Sequence, residues 1–161
     1  MPVIVDPHIG FVSFQEAVRT GTIQLAKCTT HPDLYIFHDT PEPGVQRLTY
    51  ALVTETLAKA YAVYVLAEPL KGKPCFGVGY ATDVEYRGKG LATEVVQASM
   101  ADLQKNMASK LRSPGFYVEA IIGADNLASQ AVAARTLSDK PKQTKDKESG
   151  QPALQYVKLL G

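Results

Sequence analysis

The sequence predicts a mixed α/β fold of the α+β kind, and three observations carry that prediction. Strand-forming runs crowd the first half of the chain, one long helical pattern begins at Gly90, and a further strand and short helix follow it. The 161 residues suffice for one domain with a proper core and are short for two, so residues 1–161 are read as a single domain.

Taken in order, "DLYIFHD" is short, aromatic and β-branched and reads as a strand; the prolines and glycine of "TPEPGV" then predict a loop from Thr40 to Val45. "RLTYALVTE" and "AYAVYVLAE" mass strand formers, although Leu48, Leu52 and Leu57 also nearly suit one face of a helix between Leu48 and Ala60. "PLKGKP", between Pro69 and Pro74, supplies turn residues before "CFGVGYATDV" resumes an extended pattern, which predicts antiparallel strands joined by a hairpin.

From Gly90 the period changes. Leu91, Val95, Ser99, Leu103, Met107 and Leu111 recur at four-residue steps with Glu94, Gln97, Asp102, Gln104 and Lys105 between them, an amphipathic helix of about five turns with one stripe inward. "SPG" at Ser113 to Gly115 stops it. "FYVEAIIG" is a buried strand, and "ADNLASQAVAARTL" a short helix capped by Asp125 or Asn126. Strand, glycine-rich turn, long helix and strand form a crossover unit, so Phe76 to Val84 and Phe116 to Ile122 should lie parallel within a mainly antiparallel sheet. "SDKPKQTKDKESGQP" has no large apolar residue, so Lys140 to Gly150 is predicted to be a mobile loop, and "ALQYVKLLG" closes the chain as a strand.

Composition narrows the function. With 17 Lys+Arg against 16 Asp+Glu the net charge is +1, which gives no global field toward nucleic acid or membrane. Charge has to be read locally: Lys140, Lys142, Lys145 and Lys147 outnumber Asp146 and Glu148, so the predicted loop offers an acidic protein or a nucleic acid as the partner in an alternative reading. Cys28 and Cys75 fit no CxxC or zinc spacing and read as buried, reduced thiols; no metal is expected. No stretch is long and apolar enough for a membrane helix, and "MPVIVDPHIG" lacks the basic start and apolar core of a signal peptide, so a cytoplasmic setting is expected.

The chemistry concentrates in "EYRGKGLATEVV". The first N–H groups of a helix lack intrahelical partners and sit at the positive end of its dipole, so a turn without side chains lets an anion approach closely. Gly88 and Gly90 remove the Cβ atoms, Arg87 and Lys89 add charge, and the arrangement suits a pyrophosphate. It is not a Walker A loop, and "GVGYAT" fails the dinucleotide fingerprint at Thr82.

Arg87-x-x-Gly90-x-Ala92, between a strand and a helix, resembles the [R/Q]-x-x-G-x-[G/A] signature of the GNAT superfamily of N-acetyltransferases, and "DNLASQAVAAR" is similar to its N-x-x-[A/S] segment. The resemblance covers about Val65 to Leu137. It implies a sheet whose parallel strand pair splays to admit the pantetheine arm of coenzyme A, with acetyl-coenzyme A as co-substrate and an amine, small molecule or protein, as acceptor. Thr82 and Val84 would offer backbone groups to pantetheine; Arg87, Gly88, Lys89, Gly90, Leu91 and Ala92 would form the phosphate arm; Asn126 and Ser129 take the places of the downstream motif. The family often carries a tyrosine acid seven residues after that asparagine, where this chain has Ala133.

An amine must lose its proton before it attacks a thioester, so a base is needed, and Glu119 in the strand beside the cleft is the candidate. Tyr156 and Ser129 are the nearest hydroxyls by element order for protonating the thiolate. Asp83 and Glu85 read as turn supports, and His8, His31 and His38 as ordinary surface or packing residues. Domains that bind coenzyme A without turnover are a second alternative, favoured by Ala133, and a homodimer is left open.

Overall fold

The computed structural model describes residues 7–107, 110, 115–146 and 149–161. Three helices, α1 (Pro7–Thr20), α2 (Leu91–Met107) and α3 (Leu127–Thr136), flank a sheet of eight strands. The strands are β1 (Ala26–Lys27), β2 (Leu34–Glu42), β3 (Val45–Thr54), β4 (Leu57–Leu70), β5 (Lys73–Thr82), β6 (Phe116–Gly123), β7 (Lys142–Lys145) and β8 (Pro152–Leu160), in the order β1-β2-β3-β4-β5-β6-β8-β7. All neighbours are antiparallel except β5 and β6, whose connection through α2 makes them parallel.

Side-chain alternation gives the sheet two unlike faces. Tyr50, Leu52, Ala60, Ala62, Tyr64, Val78, Tyr80, Val118, Ala120 and Ile122 point to the α2 and α3 side and close the main core with Val95, Val96, Met100 and Leu103. Tyr50 and Tyr64 meet edge-on at 5.7 Å, and the Tyr64 hydroxyl shares a 2.6 Å hydrogen bond with Ser99 Oγ. On the other face α1 packs against β4 and β5, setting Phe11 into a smaller cluster with Ala51, Val53, Ala58 and Tyr61. It covers only part of that face.

Several expectations need correction. Thr40–Glu42 belong to β2 rather than to a loop, because a tight turn at Pro43 and Gly44, the latter at φ 81°, is enough to reverse the chain. The strand reading of Leu48 to Ala60 stands, against its helical alternative: these residues form the β3–β4 hairpin, with Glu55 at φ 58° in its turn. β5 ends at Thr82, with Val84 in a 3-10 turn. The mobile loop expected at Lys140–Gly150 contains β7, paired to β8 at the sheet edge, and a turn held by the buried carboxylate of Asp146, which accepts from Ser149 N at 2.9 Å. An edge strand draws on backbone pairing and needs little apolar area, and its lysines keep other strands off that edge. Lys147 and Glu148 lie outside the described residues, as do Leu111, Ser113 and Pro114 of the expected helix end.

Asp102, expected on the wet side of α2, is only 4% exposed. Its carboxylate accepts from Tyr50 Oη at 2.9 Å, Asn106 Nδ2 at 2.9 Å and Thr30 Oγ1 at 3.2 Å, so three donors stand in for lost water. α1 and β1 were not foreseen. Among the described residues no helix is long and apolar enough to cross a membrane.

Candidate active site

The crossover pair opens quickly. β5 and β6 are paired only at Cys75–Tyr117, Phe76–Val118 and Gly77–Glu119, and beyond these the strands part toward Thr82 and Gly123. A cleft of about 1090 Å³ runs along the α1 face of the sheet into this gap, lined on the way by Phe37, Val63, Gly77, Gly79, Glu119 and Gln155, and ending at Tyr80, Asn126 and Ser129.

The glycine-rich turn sits at the end of β5 where the strands part. Gly88 and Gly90 have φ 79° and 76°, which L side chains rarely adopt, and a Cβ at either would meet open space. Arg87, Gly88, Lys89 and Gly90 are exposed, while Leu91 and Ala92 turn their side chains against the main core and leave only backbone to the loop. The first helical bond runs from Glu94 N to Gly90 O, so the preceding amides of α2 lack intrahelical acceptors. Asp83 steadies the turn as expected: Oδ1 accepts from Glu85 N at 2.8 Å and Oδ2 from the side-chain amide of Gln15 on α1. Glu85 takes part through its backbone. Thr82, half-buried, ends β5, and Val84 is exposed.

One cation of this corner was not read from the sequence. Asp83 N donates to Lys59 O at 2.8 Å, which brings the start of β4 alongside the turn, and Lys59 Nζ and Lys89 Nζ lie 5.1 and 5.3 Å from the centre of the Tyr86 ring. No sequence pattern links Lys59 to a loop some thirty residues later; strand pairing alone makes the contact. Across the gap Asn126 caps α3, its side chain accepting from Ser129 N at 3.2 Å, which settles the choice between Asp125 and Asn126.

Glu119 is half-buried in the cleft wall and accepts a 2.8 Å hydrogen bond from Gln155 Nε2 of β8. Tyr156, one residue on, points the other way: it lies in the main core, 3% exposed, beside Val118 and Ala120, and burial pushes its hydroxyl up. Alternation separates the two candidates onto opposite faces. Among the described residues two phenols line the cleft, Tyr61 beside α1 and Tyr80 where the strands part, and the sequence reading singled out neither. Tyr80 donates to Ser129 O at 2.6 Å, against the backbone of the fully buried Ala133. Burial and then the neighbouring Tyr156 hold its hydroxyl far above the ordinary phenol range, so it stays protonated. Cys28 and Cys75 are buried and free. His8 borders Phe11, His31 bonds Glu94 at 3.0 Å, and His38 meets Gln46; none of the three lines the cleft.

A family model described as an acetyltransferase (GNAT) domain matches residues 38–136. Among solved structures, RimL, a ribosomal L7/L12 alpha-N-protein acetyltransferase, in complex with coenzyme A aligns over 99% of this chain and 92% of its own, with 16% identity and a TM-score of 0.56. The same enzyme without ligand aligns over 71% and 70%, with 20% identity and a TM-score of 0.52. A GNAT-family acetyltransferase from Streptococcus pneumoniae aligns over 71% and 67%, with 11% identity and a TM-score of 0.52. These structures share the fold. A search of curated protein sequences finds no match.

Proposed function

Because the chain belongs to the GNAT acetyltransferase family, we propose that it moves an acetyl group from acetyl-coenzyme A to an amine by direct attack while both substrates are bound, residues 1–161 acting as one domain. The observation that carries this reading is the early parting of β5 and β6, with a cationic, glycine-rich helix start at the end of one strand and the Asn126 cap beyond the other. Arg87, Gly88, Lys89, Gly90, Leu91 and Ala92 take the pyrophosphate, with Lys59 adding a third cation; Thr82, Val84, Asn126 and Ser129 border the pantetheine arm. The edge of β5 beyond Gly77 has no pairing with β6, so its backbone donors are free to meet the thioester oxygen as charge develops there.

Glu119 accepts the ammonium proton of the acceptor, directly or through a water, and Gln155 fixes the carboxylate that does so. The amine nitrogen then bonds to the acyl carbon and the carbon–sulfur bond breaks; the proton that the nitrogen sheds on becoming an amide passes, through water, to the departing thiolate, which leaves as the free thiol. Tyr80 gives its one hydroxyl proton to Ser129 O and so holds the start of α3 in place at the gap; Tyr156 keeps a packing role. The test is thermal unfolding with acetyl-coenzyme A at about one hundred times its dissociation constant, which should add about 2.7 kcal/mol of stability and roughly 5–10 °C to the midpoint. Arg87→Ala with Lys89→Ala should remove the shift. A wild-type protein that shows none would overturn the reading.

A further inference from the structure

The register of the sheet sets five residues in one line across the cleft face. Asp39 pairs with Arg47, Arg47 with Val65, Val65 with Gly77, and Gly77 with Glu119, and all five line the cleft. Gly77 and Gly79 leave the floor beside Glu119 bare: a Cβ at Gly77 would meet only Val65 O, at 3.8 Å. A chain-like acceptor therefore has an unobstructed, largely apolar path from Glu119 over Gly77 and Val65.

Charge along that path is one-sided. Among the described residues the charged side chains of the lining are three carboxylates, Asp39, Glu68 and Glu119, and one cation, Arg47. Arg47 is engaged by Asp39 through both Nε, at 2.9 Å, and a terminal nitrogen, so these two cancel and the walls keep a net charge of −2 from Glu68 and Glu119. Glu68 is exposed, next to the 58% exposed Leu66, where β4 leaves its regular register between Ala67 and Leu70. From strand spacing and rise, Glu68 lies about 14 Å from Glu119 between Cα atoms. This end is opposite in sign to the Arg87, Lys89 and Lys59 corner, so the two substrates enter through fields of opposite sign.

Building on the acetyltransferase reading, we propose that the acceptor is a linear amine with a second positive charge, which Glu68 holds at the mouth of the cleft while the reacting nitrogen lies at Glu119. A monoamine lacks the second contact, and an acidic acceptor meets the two carboxylates of the lining, Glu68 and Glu119. Since Glu68 is exposed, its contribution is that of a surface ion pair, about fivefold in affinity, and salt screens it.

The experiment measures binding by calorimetry and acetyl transfer by release of free thiol, for α,ω-diaminoalkanes of increasing length, n-alkylamines of matched length and an acidic peptide with a free N-terminus. Longer diamines should bind about fivefold more tightly than matched monoamines at low salt, and Glu68→Gln or 0.5 M salt should bring that ratio toward one. Equal binding of mono- and diamines, a preference untouched by Glu68→Gln, or preference for the acidic peptide would each overturn the proposal. Binding of acetyl-coenzyme A, titrated separately, decides the underlying reading: its loss would overturn the transferase, whereas tight binding with no diamine preference would overturn only the acceptor class.

Discussion

The two faces of the central sheet are written by the same strands and differ in almost everything else. In β5, Val78 and Tyr80 enter the core while Gly77 and Gly79 floor the cleft; in β6, Val118, Ala120 and Ile122 are buried while Glu119 and Ile121 line the opening. Polar groups follow the same division. Asp102, on the core side, is surrounded by donors supplied by the protein, whereas Glu119, on the cleft side, has Gln155 and an open wall. One face spends its alternate residues on cohesion. The other leaves space and unneutralised charge, which a buried face could not tolerate.

If that division holds, one carboxylate should be separable from stability and the other should not. Glu119→Gln keeps the shape and an acceptor for Gln155, so unfolding and acetyl-coenzyme A affinity should stay near wild type while the acetyl-transfer rate falls by about 100- to 10,000-fold, the usual worth of a general base. A fall that alkaline pH restores would sharpen the assignment, because a less protonated amine has less need of the base. An unchanged rate would break it.

On the core face the effect should be thermodynamic. Asp102→Ala strands the buried Tyr50 hydroxyl, while Thr30 and Asn106, both exposed, turn to water, and it should cost about 2 kcal/mol in denaturant unfolding. Asp102→Asn, which retains one acceptor oxygen, should lose less. Little change in Asp102→Ala would mean that water replaces the carboxylate and that this part of the core is not closed.

What was legible in the sequence follows from how local each signal is. The β5–turn–α2–β6–α3 order and the glycine-rich turn depend on residues adjacent in the chain and could be read directly, and the cap of α3 could be narrowed to Asp125 or Asn126. Glu119 was reachable because an acid in an apolar strand stands out. Lys59, Tyr80 and the pairing of Asp39 with Arg47 depend on register between strands, which no single-strand pattern specifies. Tyr156 shows the same limit from the other side: element order brought it near the gap, and a one-residue alternation turned it into the core. β7 escaped because an edge strand of lysines and polar residues looks like a solvated loop until its partner is known. The glycine positions carry a further lesson for testing the loop. At φ 76°, Gly90→Val would strain the backbone as well as block an anion, so Arg87→Ala with Lys89→Ala is the cleaner probe.

The smallest effect comes from the two thiols, one on each face. Cys28 and Cys75 are both pushed up to about 12 from an ordinary 9.0, chiefly by burial, with the charge of Asp102 adding to the first and that of Glu119 to the second. A raised thiol means that the folded state holds its proton more tightly, so the associated stability is complete below about pH 9 and is lost as pH rises through about 12. At pH 8 both should alkylate far more slowly than a free thiol, since only the thiolate reacts. Glu119→Gln removes the secondary cause at Cys75 and leaves burial in place, so Cys75 should label a few-fold faster, with Cys28 unchanged as the internal control. Mass spectrometry of the alkylated peptides over pH 7–10 reads both sites in one sample. Equal acceleration at Cys28 would show that the substitution loosened the whole sheet, and the two faces would then not be independent.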